Sequence, residues 1–254
     1  MKRNILTIAL LLSVGFGVQA QQFIHKGMIE YEVKTNLKKT FGGGDNIFTQ
    51  MMPDMPTYKT AYYHLSFANN KSIYKLDHFS QKDPVPDFLK KEDEENEWYC
   101  DFDKGELKMK KTVIGTPFYI IDSLRNIKWR YTNESRLIAG FNCRKAVGVI
   151  YDSVYVFAFY TDEITVTGGP CSINGLPGMI MGITIPRLYT SWIATKLTLS
   201  GVDENKIVPE PAKKPTNSKE LKDLLLVRSK DWVMGDNSET TRNWITQYIW
   251  SATL

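Results

Sequence analysis

Cysteine and histidine are both scarce in this chain, with three of each among 254 residues. None of His25, His64 and His78 stands at a spacing that would form a metal site or serve a cysteine nucleophile as base. No G-x-S-x-G, H-E-x-x-H, phosphate-loop or C-x-x-C pattern occurs. The run Gly42-Gly43-Gly44 lacks the lysine and the strand–helix setting of a phosphate loop. Two acid pairs, Asp101 with Asp103 and Asp162 with Glu163, fall at strand ends, where solvated turn acids are the rule. No familiar catalytic set is therefore indicated. Charge of one sign is also lacking: the formal net charge is +4 and the lysines are dispersed, which gives no basis for a nucleic-acid partner. Nor is there an internal repeat of fixed period, or an apolar run of membrane-spanning length after the first twenty residues.

Those first residues do carry a pattern. Lys2 and Arg3 precede Ile5-Leu6-Thr7-Ile8-Ala9-Leu10-Leu11-Leu12, and the segment ends Val18-Gln19-Ala20. Charged, apolar and small-residue regions in that order predict a cleavable secretory signal over 1–20, with maturation at Gln21. No cysteine lies at the junction, so a lipid anchor is not indicated. A periplasmic or secreted protein is expected, carrying a net charge of +2 once Lys2 and Arg3 leave.

Downstream, alternation of apolar and polar residues dominates. Gly27 to Lys34 reads as an opening strand. Ala61–Phe67 and Lys71–Leu76 form a hairpin about Asn69-Asn70, and a second hairpin turns at Asp103-Lys104-Gly105. The charge run Lys90-Lys91-Glu92-Asp93-Glu94-Glu95 reads as an exposed connection within 81–97. Lys128–Tyr131 is expected to pair with Arg136–Ala139 across Thr132-Asn133-Glu134. Cys143–Ile150 and Val154–Tyr160 pair about Tyr151-Asp152-Ser153. The second of these strands, Val154-Tyr155-Val156-Phe157-Ala158-Phe159-Tyr160, is apolar on both faces, and must be covered twice or line an apolar concavity. Met179–Ile185 and Ser191–Leu199 form an antiparallel pair. Prolines 209, 211 and 215 mark an extended linker over 208–216. Two capping patterns, Asn217-x-x-Glu220 and Asp236-Asn237-Ser238-Glu239, then open two amphipathic helices within 217–254.

The stretch Gly168 to Gly182 stands apart: five glycines and two prolines between two β-rich runs. It predicts a loop of defined shape leading into a strand near Met179. Its core, Gly175-Leu176-Pro177-Gly178-Met179-Ile180, resembles the signature of the GLPGLI family of secreted bacterial proteins, with Met179 in place of the second leucine. Ile138-Ala139-Gly140-Phe141-Asn142-Cys143-Arg144-Lys145-Ala146 is similar to the family's I-x-G-[YF]-x-C-x-K-A segment. Val156 to Ile164 is similar to its aromatic strand, and Ile185 to Lys196 to the continuation in one branch. The family has no established activity, so the resemblance implies a class of exported protein and leaves its function open. Cysteines 143 and 171 both fall in the family-like region and flank one strand. A Cys143–Cys171 disulfide is expected in an oxidising compartment, the alternative being three buried free thiols with Cys100.

The expected fold is mainly β (α+β): residues 21–207 as one curled antiparallel sheet, followed by the linker and two C-terminal helices packed on the sheet. This layout is similar to the half-barrels of periplasmic lipoprotein carriers. The expected function is a non-catalytic binding or carrier module for an apolar small molecule or lipid, or for an envelope protein partner, with no cofactor. Tyr155, Phe157, Phe159 and Trp192 are the expected ligand-facing aromatics. Two other readings stand beside it: copper handling by Met51, Met52 and Met55 with His64, and an exported enzyme of unrecognised type.

Overall fold

A computed structural model describes residues 23–41, 55–82, 84–232 and 238–254; the expected signal segment and Met51–Met52 lie outside them. Eleven strands build one antiparallel sheet that is not closed. They are β1 (Gly27–Asn36), β2 (Tyr58–Ala68), β3 (Lys71–Phe79), β4 (Glu97–Asp101), β5 (Glu106–Val113), β6 (Thr116–Ser123), β7 (Arg130–Ile138), β8 (Phe141–Ile150), β9 (Val154–Thr161), β10 (Met179–Ile185) and β11 (Thr190–Thr198). The spatial order is β6-β5-β4-β3-β2-β1-β11-β10-β9-β8-β7. The described helices are α1 (Leu37–Thr40), α2 (Asp87–Glu94), α3 (Ser218–Trp232) and α4 (Glu239–Ala252). A mainly β fold with C-terminal helices, as the periodicity predicts, is what forms.

The order explains the curl. β6 and β7 follow one another in sequence yet occupy opposite edges of the sheet. Laid flat, eleven strands at about 4.8 Å spacing would hold these edges roughly 48 Å apart. The link through residues 124–129 spans at most about 25 Å, so the sheet bends until its edges approach. Side chains near the two ends then meet: Arg125, just after β6, donates from Nη2 to the Tyr151 hydroxyl in the β8–β9 turn at 3.1 Å.

One face of the sheet is therefore concave, and it carries the main core. Ile29, Tyr31 and Val33 of β1, Tyr63, Leu65 and Phe67 of β2, and Val154, Val156, Ala158 and Tyr160 of β9 are buried there. The C-terminal helices add Leu221, Leu225, Ile249 and Ala252 to the same core. The first starts on its expected cap, the Asn217 side chain accepting from the Glu220 amide at 2.9 Å; the second is capped by Ser238, two residues after the expected Asp236, with Oγ accepting from the Thr241 amide at 3.2 Å. Just before the linker, Ile207 packs on the opposite, outer face against Ala68, Ile73 and Tyr99. The linker then reaches the β6 edge, where Thr216 exchanges two backbone hydrogen bonds with Tyr119 and Ile121, both 2.9 Å.

Within the expected exposed connection, residues 87–94 are helical, forming α2; none of them is buried, and Asp93 is ion-paired with Lys59 of β2. One local expectation is corrected. Thr132-Asn133-Glu134 is not a turn: 130–138 is one strand on β8, whose register slips between Tyr131 and Ser135. The reversal comes instead at Ala139-Gly140, both at positive φ. Asn69-Asn70 turns as expected, with φ of 49° and 57°.

Candidate functional site

The glycine-rich stretch does more than lead into β10. Gly168 and Gly169 pass so close to Phe102 and Ile180 that a Cβ on either would sit under 3.0 Å from them. Residues 170–172 then make a single 3-10 turn in which Pro170, Cys171 and Ser172 are all buried, with Cys171 and Ser172 at φ of 51° and 60°. Non-glycine residues rarely hold that conformation. Here Asn174 Nδ2 donates to the Ser172 carbonyl at 2.8 Å, and Trp129 Nε1 donates to the Asn174 carbonyl at 2.9 Å. Leu176, Met179 and Ile180 are buried, and Tyr31 anchors the start of β10 by donating to the Ile180 carbonyl at 2.6 Å. The loop thus turns inward and fills the concave face where a carrier's ligand would sit.

Cys171 is buried in the core that fills that face. Tyr63, Tyr74, Cys100, Lys111 and Tyr151, from widely separated parts of the sheet, all lie within its electrostatic reach. Lys111 places its Nζ 4.6 Å from the centre of the Trp98 ring. Burial pushes its ammonium pKa down, opposed by Asp93 and Glu92 among others. Burial pushes the Cys171 thiol up to about 12, with Lys111 opposing, and pushes Cys100 and Cys143 up to about 12 as well. A thiol held protonated so far above neutral pH is a packing group rather than a nucleophile. All three cysteines are free and buried, so the expected Cys143–Cys171 bond is not formed in this structure. Cys143 sits within β8 and Cys171 in the inward turn.

The expected ligand-facing aromatics divide between the two faces. Trp192 is buried on the concave side, paired in register with Val33 and Ile183. Tyr155, Phe157 and Phe159 alternate with the buried residues of β9 and point outward. Tyr155 is 55% exposed and stacks on Phe157, with ring centres 6.5 Å apart. The Lys145 ammonium lies 5.5 Å from the Phe157 ring centre and the Arg136 guanidinium 4.7 Å from that of Phe159. Exposed Val149 lies opposite Tyr155 on β8. The expectation that four aromatics share one ligand surface is corrected to three outward and one inward. The double-sided apolar strand is covered by core within and by cation-capped rings without.

The histidines separate too. His25 Nδ1 meets Thr165 Oγ1 at 2.7 Å, while His64 and His78 lie on the outer face of β2 and β3. Met55 is buried. Among the described residues there is no group of three or more His, Cys, Asp and Glu side chains that could hold a metal ion.

Sequence reasoning passed over Lys111, although its signal is visible: it continues the inward register of Leu107 and Met109, a lysine where an apolar residue is due. Lys59 does the same ahead of Ala61 and Tyr63. The inward route of Cys171 had no such signal.

No family model matches the chain and no curated protein matches it. Among solved structures it is similar to PNGF-II in two crystal forms, with TM-scores of 0.48 and identities of 14% and 15% over 79% and 78% of this chain. These alignments cover 33% and 32% of the PNGF-II chain, so this chain spans about a third of its length. It is also similar to an uncharacterised conserved protein from Thermus thermophilus, with a TM-score of 0.37 and 6% identity over 75% of this chain and 90% of that one. At these scores the likeness bears on neither activity nor partner.

Proposed function

We propose that the protein is an exported, non-catalytic binding module that recognises an envelope protein partner through the outer face of β8 and β9. The observation that carries this reading is the outward row of Val149, Tyr155, Phe157 and Phe159 with Lys145 and Arg136 over its rings. Aromatic and arginine side chains on a rigid sheet lose little entropy on binding and are the types that dominate protein interfaces. The inner face supports an apolar-ligand carrier less well, because the chain's own 170–173 turn and C-terminal helices occupy it.

A photoreactive phenylalanine analogue placed at Tyr155, in the protein exported by its own host, tests the reading. One defined protein adduct is expected there, and none from the same probe at Val227, exposed on α3. The double variant Tyr155→Ala/Phe157→Ala should then weaken the captured partner's affinity about tenfold or more. No adduct at 155, equal labelling at 227, or unaltered affinity of the double variant would overturn it.

A further inference from the structure

We infer that Lys111 is a nucleophilic amine on the inner face of the sheet, placed to hold a small, uncharged aldehyde or ketone covalently as an imine. The inference is independent of the partner surface on β8 and β9. It begins with register. Leu107, Met109 and Val113 of β5 are buried in the main core, and Lys111 stands in the same alternation. A charged side chain turned towards a core is ordinarily paired. Lys59 of β2, also on an inward register, is paired with Asp93. Lys111 is not: among the described residues no carboxylate forms an ion pair with it, and its Nζ rests instead 4.6 Å from the centre of the Trp98 ring. Tyr74, whose ring lies 5.4 Å from that of Trp98, keeps a buried hydroxyl with no hydrogen-bond partner among the described residues. Two polar groups beside one indole are thus left for a ligand to complete.

The surroundings make the amine a base and a nucleophile near neutral pH. Burial pushes the ammonium pKa down, and the positive charge of Lys59 pushes it the same way. Cys171, Asp93 and Glu92 oppose the shift. Cys171 is the largest of these, yet its own thiol is pushed up to about 12, so at neutral pH it is uncharged and gives the ammonium no support. Asp93 is already engaged by Lys59. Glu92 is the acid left over: Oε1 accepts from the Ile114 amide at 2.6 Å, burial pushes its carboxyl pKa up, and the Tyr248 hydroxyl of α4 lies within its reach. Access is open from this end of β5, since Lys111 is only half-buried and Ile114, just beyond the strand, is 55% exposed.

The step needs no oxidant or reductant. The ammonium gives one proton to Glu92 or to solvent, and the freed Nζ lone pair attacks the carbonyl carbon. The C–N bond forms as the C=O pair moves to oxygen, which takes up a proton. The carbinolamine then expels that oxygen as water while C=N forms, so ammonium plus carbonyl gives protonated imine plus water. A desolvated lysine suits this chemistry because less of it is held as ammonium. The neighbours on the same face are Trp98, Met109 and Val113, and the charge of Lys59 is met by Asp93. An uncharged carbonyl compound therefore fits, and a small one, because the 170–173 turn and the C-terminal helices fill the rest of the concavity.

Reductive alkylation of the folded full chain with propanal and cyanoborohydride, read lysine by lysine by peptide mass spectrometry, tests the site. The wild type carries the main result, so the test does not depend on a variant folding. At pH 7 and low conversion, Lys111 should take the propyl group about tenfold or more faster than Lys104, whose side chain is 71% exposed. Its pH–rate profile should level off well below the value of roughly 10.4 expected of a free lysine side chain. Lys111→Met, which puts an apolar side chain on a core register, should lose this fast reaction and leave Lys104 labelled as before, with circular dichroism melting to confirm that it is folded. Labelling of Lys111 no faster than that of Lys104, or a pH–rate profile like that of a free lysine, would overturn the inference.

Discussion

Gly178→Ala should be among the most damaging single substitutions in the chain, and the reason is local. Gly178 has a φ of 128°, outside the left-handed well that other residues visit, and a Cβ built there would lie 2.0 Å from the Thr161 carbonyl oxygen and 2.8 Å from its carbon. Both atoms are backbone, fixed by the β9–β10 pairing of Thr161 with Met179. Relief requires a displacement of about 1 Å in one strand of the core or a flip of the loop. Either would disturb the Met179 amide bond to the Ile164 carbonyl at 3.1 Å. Strained backbone costs about 1–3 kcal/mol, and the repacking adds to it, so a loss of about 4 kcal/mol or more is expected, against roughly 5–15 for a whole domain. Gly175→Ala is the matched control. Its φ is 89°, but its Cβ would meet only the Trp129 ring, Nε1 at 3.4 Å and Cδ1 at 3.8 Å, ordinary contact. It should lose about 1–2 kcal/mol. Urea unfolding followed by tryptophan fluorescence measures both. Equal losses at the two glycines, or a Gly178→Ala protein within about 1 kcal/mol of wild type, would refute the reasoning.

Leu176→Ala should cost about 2–5 kcal/mol, because the side chain is buried in the main core and leaves a cavity; a smaller loss would mean that the loop collapses into the space. The three thiols, ordinarily near 9 and raised to about 12 in the fold, make stability pH-dependent. Between those values the unfolded chain holds fewer protons, so stability is intact below about pH 9 and falls towards 12, by up to about 4 kcal/mol per thiol. Urea midpoints measured from pH 8 to 11 should decline, and a flat profile would contradict the burial of the thiols. Asp93→Ala leaves Lys59 without its ion-pair partner, in a pair whose side chains are only 19% and 20% exposed. A loss of about 1–3 kcal/mol is expected, and Asp93→Ala/Lys59→Met should recover part of it.

Strands were legible wherever period-two alternation ran unbroken. Gly27–Lys34, the Asn69-Asn70 hairpin and the 154–160 strand lie where the pattern puts them. Alternation does not say which face is concave, so Tyr155, Phe157 and Phe159 read as ligand-lining while the fold turns them outward. Inside and outside are decided by the 124–129 link that bends the sheet, a long-range constraint with no local signature. The 132–134 segment, rich in turn-forming residues, was overridden by strand pairing along β8. Hydropathy alone likewise gave α2 no apolar stripe to announce it; none of its residues is buried.

The strand order carries a further consequence for how the molecule is made. The first and last strands of the sheet, β1 and β11, lie side by side at its middle, Tyr31 opposite Ala194. Each half, β1 to β6 and β7 to β11, is a run of neighbouring hairpins that can zip as it emerges. The central seam joins partners from opposite ends of the sequence and closes last, after the largest loop entropy has been overcome. Until then each half-sheet exposes its central strand as a bare edge. The newly made chain would be most prone to mispairing there, and a holding chaperone would act to most effect at β1.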